Sequence, residues 1–430
     1  MKKLICSFII CSAVSTFSAE KISGQAAASE SNPQETFQEY LSKVAKSNLG
    51  YLAEQYNVTI AEAQLRSAKV FNDPGISVSY SNNEDWKMQM GKSIETGVSY
   101  DINLGNKRRA GIKLAESQYD LSRLELDEFF RNLKADASVV FFEALKNRKI
   151  YELEQDTYSM MRKLATADSI RFSSGEITKT DAMQSSLEAN TRMNELLEAQ
   201  TDYRNSLVAL AQMQGKKAGG LPDTPAGDFV SADSTFYLPE LVKSAFDNRS
   251  EIMIAAKNNE ISERNLRLIK AERAPDISLE AGFAHNYIVK NEIAPAPACN
   301  TYSAGISVPL KFSNLNKGLV DAAKFDMARS KISLQDVELQ ISSEVTQAYN
   351  NFIFQKEKVQ HYNKGLINNA REILDARVYS YQRGENSLIE VINAQKTYNE
   401  LRQDYYETLF GYTSSIIELE RVSGKKLMTD

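Results

Sequence analysis

Three segments of this sequence recur in the same order half a chain later, so the fold must contain two copies of one unit. FNDPGISVSY (Phe71 to Tyr80) falls over ERAPDISLEA (Glu272 to Ala281), with Pro74 over Pro275. GVSYDINL (Gly97 to Leu104) falls over GISVPLKF (Gly305 to Phe312), and SSGEITKTDAMQS (Ser173 to Ser185) over QRGENSLIEVINA (Gln382 to Ala394). From there Tyr203 meets Tyr412 and Gly215 meets Gly424 without a gap. A period of about 200 residues is far longer than any solenoid or propeller unit. It divides the 430 residues into an N-terminal segment, 1–19, and two repeats, 20–224 and 225–430.

Each repeat reads helix, strand, strand, long helix, helix. The helices are expected near 35–71, 106–173 and 178–214, then near 237–273, 314–382 and 387–423. The long stretches lack proline and hold very little glycine. Leu126, Phe130, Leu133, Ala137, Val140 and Ala144 recur every three or four positions. So do Leu334, Val337, Ile341, Val345, Ala348, Phe352 and Val359. Such spacing marks the buried seam of a coiled coil. A helix of about 68 residues spans roughly 100 Å, more than any compact domain requires. It suits a structure that crosses a wide compartment.

The strands, expected near 75–83, 95–104, 276–289 and 301–312, have period two. Ile76, Val78 and Tyr80 alternate with serines, and Val98, Tyr100 and Ile102 with Gly97, Ser99 and Asp101. Runs of about ten such residues fit either a half-buried sheet or a tilted strand crossing an outer membrane. A soluble four-stranded sheet packed on helices is the plain alternative. Four strands cannot close a membrane barrel, which needs about eight, and open edges are too costly in lipid. The membrane reading therefore requires oligomerisation, and three chains would supply twelve strands.

Composition narrows the field further. A formal net charge of −5 offers no basic surface for nucleic acid. Lys2 and Lys3 precede an apolar run, Leu4 to Val14, too short to span a bilayer. With small residues up to Ala19, this pattern is that of a signal peptide and predicts export. Cys6 and Cys11 lie inside it. Ile10 stands before Cys11 where a lipoprotein signal needs a small residue, so lipidation is not expected. That leaves Cys299, read as a loop thiol. His285 and His361 are the only histidines, and neither has the neighbours of a metal site. No nucleophile motif, phosphate loop or His-Glu-x-x-His pattern occurs, so an enzyme is not indicated and no cofactor is expected.

RFSSGEITKTDAMQSSLEA, beginning at Arg171, and YSYQRGENSLIEVINAQ (Tyr379 to Gln395) resemble the glycine-containing helix turns of the TolC family of outer-membrane efflux proteins. The resemblance runs from about Gln34 to Gly424. It implies a homotrimer with a shared twelve-stranded β-barrel in the outer membrane and an α-helical barrel in the periplasm. It also implies docking through the helix tips onto a periplasmic adaptor protein, and through that onto an inner-membrane pump of the RND type. NLGYLAEQYNVTIAEAQLRSAKVFNDPGISVSYSNNED (Asn48 to Asp85) is similar to the CzcC/CusC branch, which serves metal-cation pumps.

Gly175 and Gly384 sit where long helices end, a place that favours glycine. Thr178 and Ser387 follow as N-cap residues, with Asp181 and Glu390 in the first turns beyond them. The plain reading is a well-capped hairpin. The functional one is a gate. The family carries two acidic residues one turn apart, facing the lumen. Glu390 occupies the first of these positions and Asn393 the second, so half of that acidic ring is missing. Asp181 is expected nearby. Arg171, Phe172, Gly175, Glu176, Arg383, Gly384 and Glu385 are expected to form the adaptor-docking tips. The segments Met88 to Lys92 and Lys290 to Asn300 join paired strands and are expected to face the cell exterior. A type I protein secretion duct of the same architecture, and a soluble periplasmic coiled-coil adaptor, are the rival functions.

Overall fold

A computed structural model of the protein describes residues 34–84, 89–217, 223–231, 235–310 and 316–427. The expected signal peptide, 1–19, and Met88 lie outside these residues. The first repeat runs β1 (Gln34–Thr36), α1 (Phe37–Ser47), α2 (Leu49–Ala68), β2 (Gly75–Asn82), β3 (Lys92–Ile102), α3 (Lys107–Ser173) and α4 (Lys179–Met213). The second runs β4 (Thr224–Ala226), α5 (Leu238–Asn248), α6 (Ser250–Ala271), β5 (Ile277–Asn286), β6 (Cys299–Ser307), α7 (Lys317–Asn363), α8 (Leu366–Gln382) and α9 (Leu388–Ser423). The 67 residues of α3 extend about 100 Å.

The structure corrects three expected helices. Those near 35–71 and 237–273 are each broken once, at Asn48 and Arg249, where the backbone turns extended. The two breaks are offset by the same interval as Pro74 and Pro275. Asn48 accepts from the Tyr51 N–H at 3.0 Å, which caps α2, and donates to the Met213 carbonyl at 3.0 Å. Arg249 is buried and pairs with Glu251 at 2.6 Å and Glu344 at 2.7 Å. Polar side chains thus hold both breaks. Gly215 explains its place in the repeat: at φ +68° it brings the end of α4 so close that a Cβ would lie 2.4 Å from the Ser47 carbonyl oxygen. The helix expected over 314–382 is the third correction. Gly365 adopts φ +102° and separates α7 from α8, whereas its counterpart α3 is unbroken.

The long helices pack through the predicted spacing. Ile341, Val345, Ala348, Phe352 and Val359 of α7 are buried, as are Leu133, Ala137 and Ala144 of α3, while Phe130 is exposed. Around α3, Tyr40 and Val44 of α1 meet Phe141, Phe142 and Leu145, with Leu207 and Leu210 of α4. The second repeat builds the equivalent cluster from Leu241 and Ala245 of α5, Ile341 and Phe352 of α7, and Tyr412, Ile416 and Leu419 of α9. Contacts place the helices nearest the sheet side by side in the order α2, α3, α6, α7. Beyond the clusters the order becomes α4, α3, α9, α8.

One sheet unites the repeats, antiparallel and ordered β2, β3, β5, β6. Its strands end within a few residues of expectation. β6 stops at Ser307, before Pro309, which has no N–H for a ladder. Cys299, expected in a loop, is the first residue of β6 and is exposed. The β5–β6 connection accordingly covers 287–298, shifted toward the N-terminus from Lys290 to Asn300. The Asn291 side chain turns it by accepting from the Ile293 and Ala294 N–H groups at 2.9 and 3.0 Å. A small parallel pair, β1 with β4, joins the starts of the two repeats. Its three-residue strands carry no periodic signal in the sequence.

Candidate functional site

The sheet register sorts its residues onto two unlike faces. Ile76, Val98 and Ala281 lie in one row, Tyr80, Ile94 and His285 in another, and Tyr100, Leu279 and Ile306 in a third. These rows form one apolar face, most of it exposed in the single chain: Ile76 is 79% accessible and Tyr302 79%. The opposite face carries the row Ser77, Gly97, Gly282, Ser303 and the row Ser79, Glu95, Ala284, Thr301. It is concave and lined by small polar residues. Glycine fits there because a Cβ on Gly97 or Gly282 would lie 2.7 or 2.6 Å from a serine hydroxyl across the strand. The charges on this polar face are Glu95, Asp101 and Glu280, all acidic. Apolar on one side and polar on the other is the pattern of a strand set between lipid and an aqueous lumen.

At the far end of the long helices, the sequence-predicted tips form two matching turns. Gly175 at φ +82° donates to the Phe172 carbonyl, and Glu176 to the Arg171 carbonyl. Gly384 at φ +76° donates to the Tyr381 carbonyl, and Glu385 to the Ser380 carbonyl. Each pair closes a helix through a left-handed glycine. Arg171 lies 3.4 Å from Glu176, and Arg383 stacks on Tyr379 at 4.4 Å. Phe172, Tyr379 and Ile170 remain exposed around the turns.

Capping differs between the repeats. Thr178 accepts from the Asp181 N–H at 3.2 Å and donates to its carboxylate at 2.7 Å, which fixes Asp181 within its own turn. Ser387 occupies the N-cap of α9 but makes no capping bond through its side chain. Glu390 instead pairs with Arg377 of α8 at 2.6 Å. Asn393 lines the same α8–α9 groove. Asp181 therefore belongs to the first tip, and Glu390 and Asn393 to the second.

Sequence reasoning missed a bond that ties the two tips together. Asp168 on α3 is fully buried and accepts from the Tyr381 hydroxyl on α8 at 2.9 Å. Arg171 lies 3.7 Å from the same carboxylate oxygen and 5.4 Å from the Tyr381 ring. The other oxygen of Asp168 has no hydrogen-bond partner. Burial, with the Asp168 bond and charge second, raises the Tyr381 phenol well above its ordinary range. The signal available in the sequence was a charged residue on the α3 apolar seam, where an acid needs a partner. Replacing Tyr381 by Phe leaves that acid with Arg171 alone, a loss of about 1–3 kcal/mol for a buried acceptor. Amide exchange across the last turns of α8 is expected to quicken severalfold in the variant. Unchanged protection there would show that the bond does not hold the tips together.

The outer helices carry apolar rows that nothing among the described residues covers. On α2 these are Leu49, Tyr56 and Ile60, and on α7 Leu319, Phe325, Ile332 and Leu339. Further down, α4 exposes Met183 and Leu187, and α8 exposes Ile373. Strands β2 and β6 likewise form the two unpaired edges of the sheet. Among the described residues no group of three His, Cys, Asp or Glu is arranged to hold a metal ion. No described helix is long and apolar enough to cross a membrane.

Comparisons with known proteins identify the family of the chain. The chain is 21% identical over 396 residues to the cobalt-zinc-cadmium resistance protein CzcC of Cupriavidus metallidurans, covering 91% of this chain and 90% of CzcC. It is 18% identical over 358 residues to the outer membrane protein TolC of Escherichia coli, covering 80% of this chain and 70% of TolC. Its fold matches that of the channel-forming protein CusC with a TM-score of 0.72 at 16% identity, across 94% of this chain and 95% of that one. The family model described as outer membrane efflux protein matches residues 74–216 and 241–425, one segment in each repeat. Both strand pairs and both helix tips fall inside those segments, and the chain belongs to this TolC-type family of outer-membrane efflux channels.

Proposed function

We propose that three copies of this chain form the exit duct of a tripartite efflux machine, and that its cargo is metal cations. The observation that carries this reading is the four-stranded sheet. It has an apolar face, an acidic polar face and two open edges, so it is complete only when copies join edge to edge. Three copies give twelve strands, enough for a barrel with an aqueous lumen. The uncovered rows on α2, α7, α4 and α8 lie on the outermost helices and supply the contacts between copies. The tips Arg171, Phe172, Gly175, Glu176, Arg383, Gly384 and Glu385 dock on a periplasmic adaptor, which connects the duct to an inner-membrane pump of the RND type. Resemblance to the cobalt-zinc-cadmium resistance protein supports metal cations as cargo.

Cation preference in such a duct has two sources. Glu95, Asp101 and Glu280 line the barrel with no basic residue on the same face of the strands. At the tips, Glu390, Asn393 and Asp181 surround the periplasmic constriction. Arg377 offsets the charge of Glu390, so the barrel contributes the larger field. In planar bilayers with a salt gradient, the wild type is expected to show a cation-selective reversal potential. Glu280→Lys should shift it strongly toward anions, and Glu390→Lys by a smaller amount. An anion-selective wild type, or a Glu280→Lys channel with unchanged reversal potential, would contradict this lumen assignment.

A further inference from the structure

We infer that a basic pocket at the periplasmic rim of the sheet binds the phosphate headgroup of an anionic phospholipid. This inference rests on the outer-membrane seating of the sheet. The pocket, about 300 Å³, is lined by Gly105, Asn106, Arg109, Lys113, Arg264 and Arg267. Gly105 at φ +70° brings the start of α3 against the end of α6, where a Cβ would lie 2.9 Å from the Ala271 carbonyl oxygen. Arg109 and Lys113 then stand one turn apart on α3, facing two arginines of α6.

Arg264 is held in place, donating to the Lys113 carbonyl and to Glu260. Glu260 is shared with Lys257 at 2.8 Å. Among the described residues, no carboxylate lies within ion-pair distance of Arg109, Lys113 or Arg267. Asn106 makes no side-chain cap, so the first N–H groups of α3 add to the positive field. Three unmatched cations around one cavity call for an anion, and paired guanidinium groups suit the oxygens of a phosphate.

Three features select a lipid as the source of that anion. The first is depth. Ile102 ends the apolar face of β3, Gly105 follows three residues later, and Lys113 lies roughly 10 Å farther down the helix. A headgroup layer is about 5–8 Å thick, so the pocket lies at that level. The second is direction. Lys107 turns to Asp276 at 2.7 Å, and strand alternation puts Asp276 on the lumen side of Ile277. Arg109 and Lys113 lie roughly 200° and 240° around the helix from Lys107, away from the lumen. The third is lateral position. α3 and α6 are the inner pair in the order α2, α3, α6, α7, so a neighbouring copy meeting α2 or α7 leaves the pocket uncovered. Basic pockets at this level of a membrane are suited to anionic headgroups.

The test uses the intact assembly in nanodiscs of equal phosphatidylglycerol and phosphatidylcholine, with retained lipid counted by native mass spectrometry. The wild type is expected to retain phosphatidylglycerol over phosphatidylcholine by roughly tenfold or more. The double variant Arg109→Gln, Arg267→Gln should lose most of that preference at unchanged assembly mass. Arg109→Lys, Arg267→Lys should keep part of it. Excess inorganic phosphate should not displace the lipid, and displacement would reassign the pocket to free phosphate. Equal retention of both lipids by the wild type, or an unchanged preference in the Gln variant, would overturn the inference. Failure of the wild type to insert into nanodiscs would instead count against the membrane seating itself.

Discussion

Glutamate at both Phe325 and Ile332 is expected to leave the protein as single chains in detergent and to abolish transport. The two residues are 75% and 66% exposed on α7, seven positions apart, and Leu339 continues the row at 70%. That is the spacing of a coiled-coil seam without its partner helix. Leu49, Tyr56 and Ile60 form a comparable row on α2, at the other side of the protomer. Burying Phe325 and Ile332 against a neighbour contributes about 1.5–3 kcal/mol each. Carboxylates there forfeit that contribution and add a desolvation cost of several kcal/mol per charge. Every seam of a closed ring repeats the penalty, so partial assembly gains little. Because both positions are exposed in the single chain, its own helices should survive, giving far-UV circular dichroism like that of the wild type. Sedimentation in mild detergent reads the outcome directly. Stable trimers carrying both glutamates would move the seam elsewhere.

Gly175→Trp together with Gly384→Trp is expected to abolish transport while leaving assembly and membrane insertion intact. Both glycines adopt left-handed φ, so a side chain costs about 1–2 kcal/mol at each turn. A Cβ meets nothing within 4 Å at either position, so neither substitution disturbs the packing of the chain. The damage therefore falls on whatever approaches from outside. On the proposed reading that is the adaptor, which would meet Ser173, Ser174 and the two glycines at the ends of the hairpins. Cells that depend on this duct for metal tolerance should become as sensitive as cells lacking it. The purified variant should keep its trimeric mass and its channel in planar bilayers. Full metal tolerance in the double variant would place docking away from the tips.

What the sequence revealed follows from how each feature is encoded. The repeat, the strand faces and the tip turns depend on local patterns: period two, heptad spacing and glycine at a left-handed position. Gly215 and Gly424 matched in the sequence because each seats a helix end against a break in its own repeat. Those breaks, at Asn48 and Arg249, stayed hidden because neither residue is a helix breaker. Their extended backbone is held by bonds to residues far along the chain, Met213 and Glu344. Gly365 was visible but isolated, and a lone glycine in a long apolar pattern does not by itself announce a left-handed turn. The tip chemistry was legible by residue and not by partner. Glu390 looked like an unpaired acid until α8 placed Arg377 beside it. Asp168 stands on the apolar seam of α3, but its partner Tyr381 lies 213 positions away in the sequence, beyond the reach of any local pattern.

All of these readings depend on the sheet being one third of a closed barrel. The mass of the wild-type particle tests that most directly. Sedimentation equilibrium of protein extracted from membranes in mild detergent, corrected for bound detergent, should give three chains per particle and no dissociation on dilution. Release into aqueous buffer without detergent, or a particle containing one chain, would contradict the account, because a four-stranded sheet with open edges cannot remain in lipid alone.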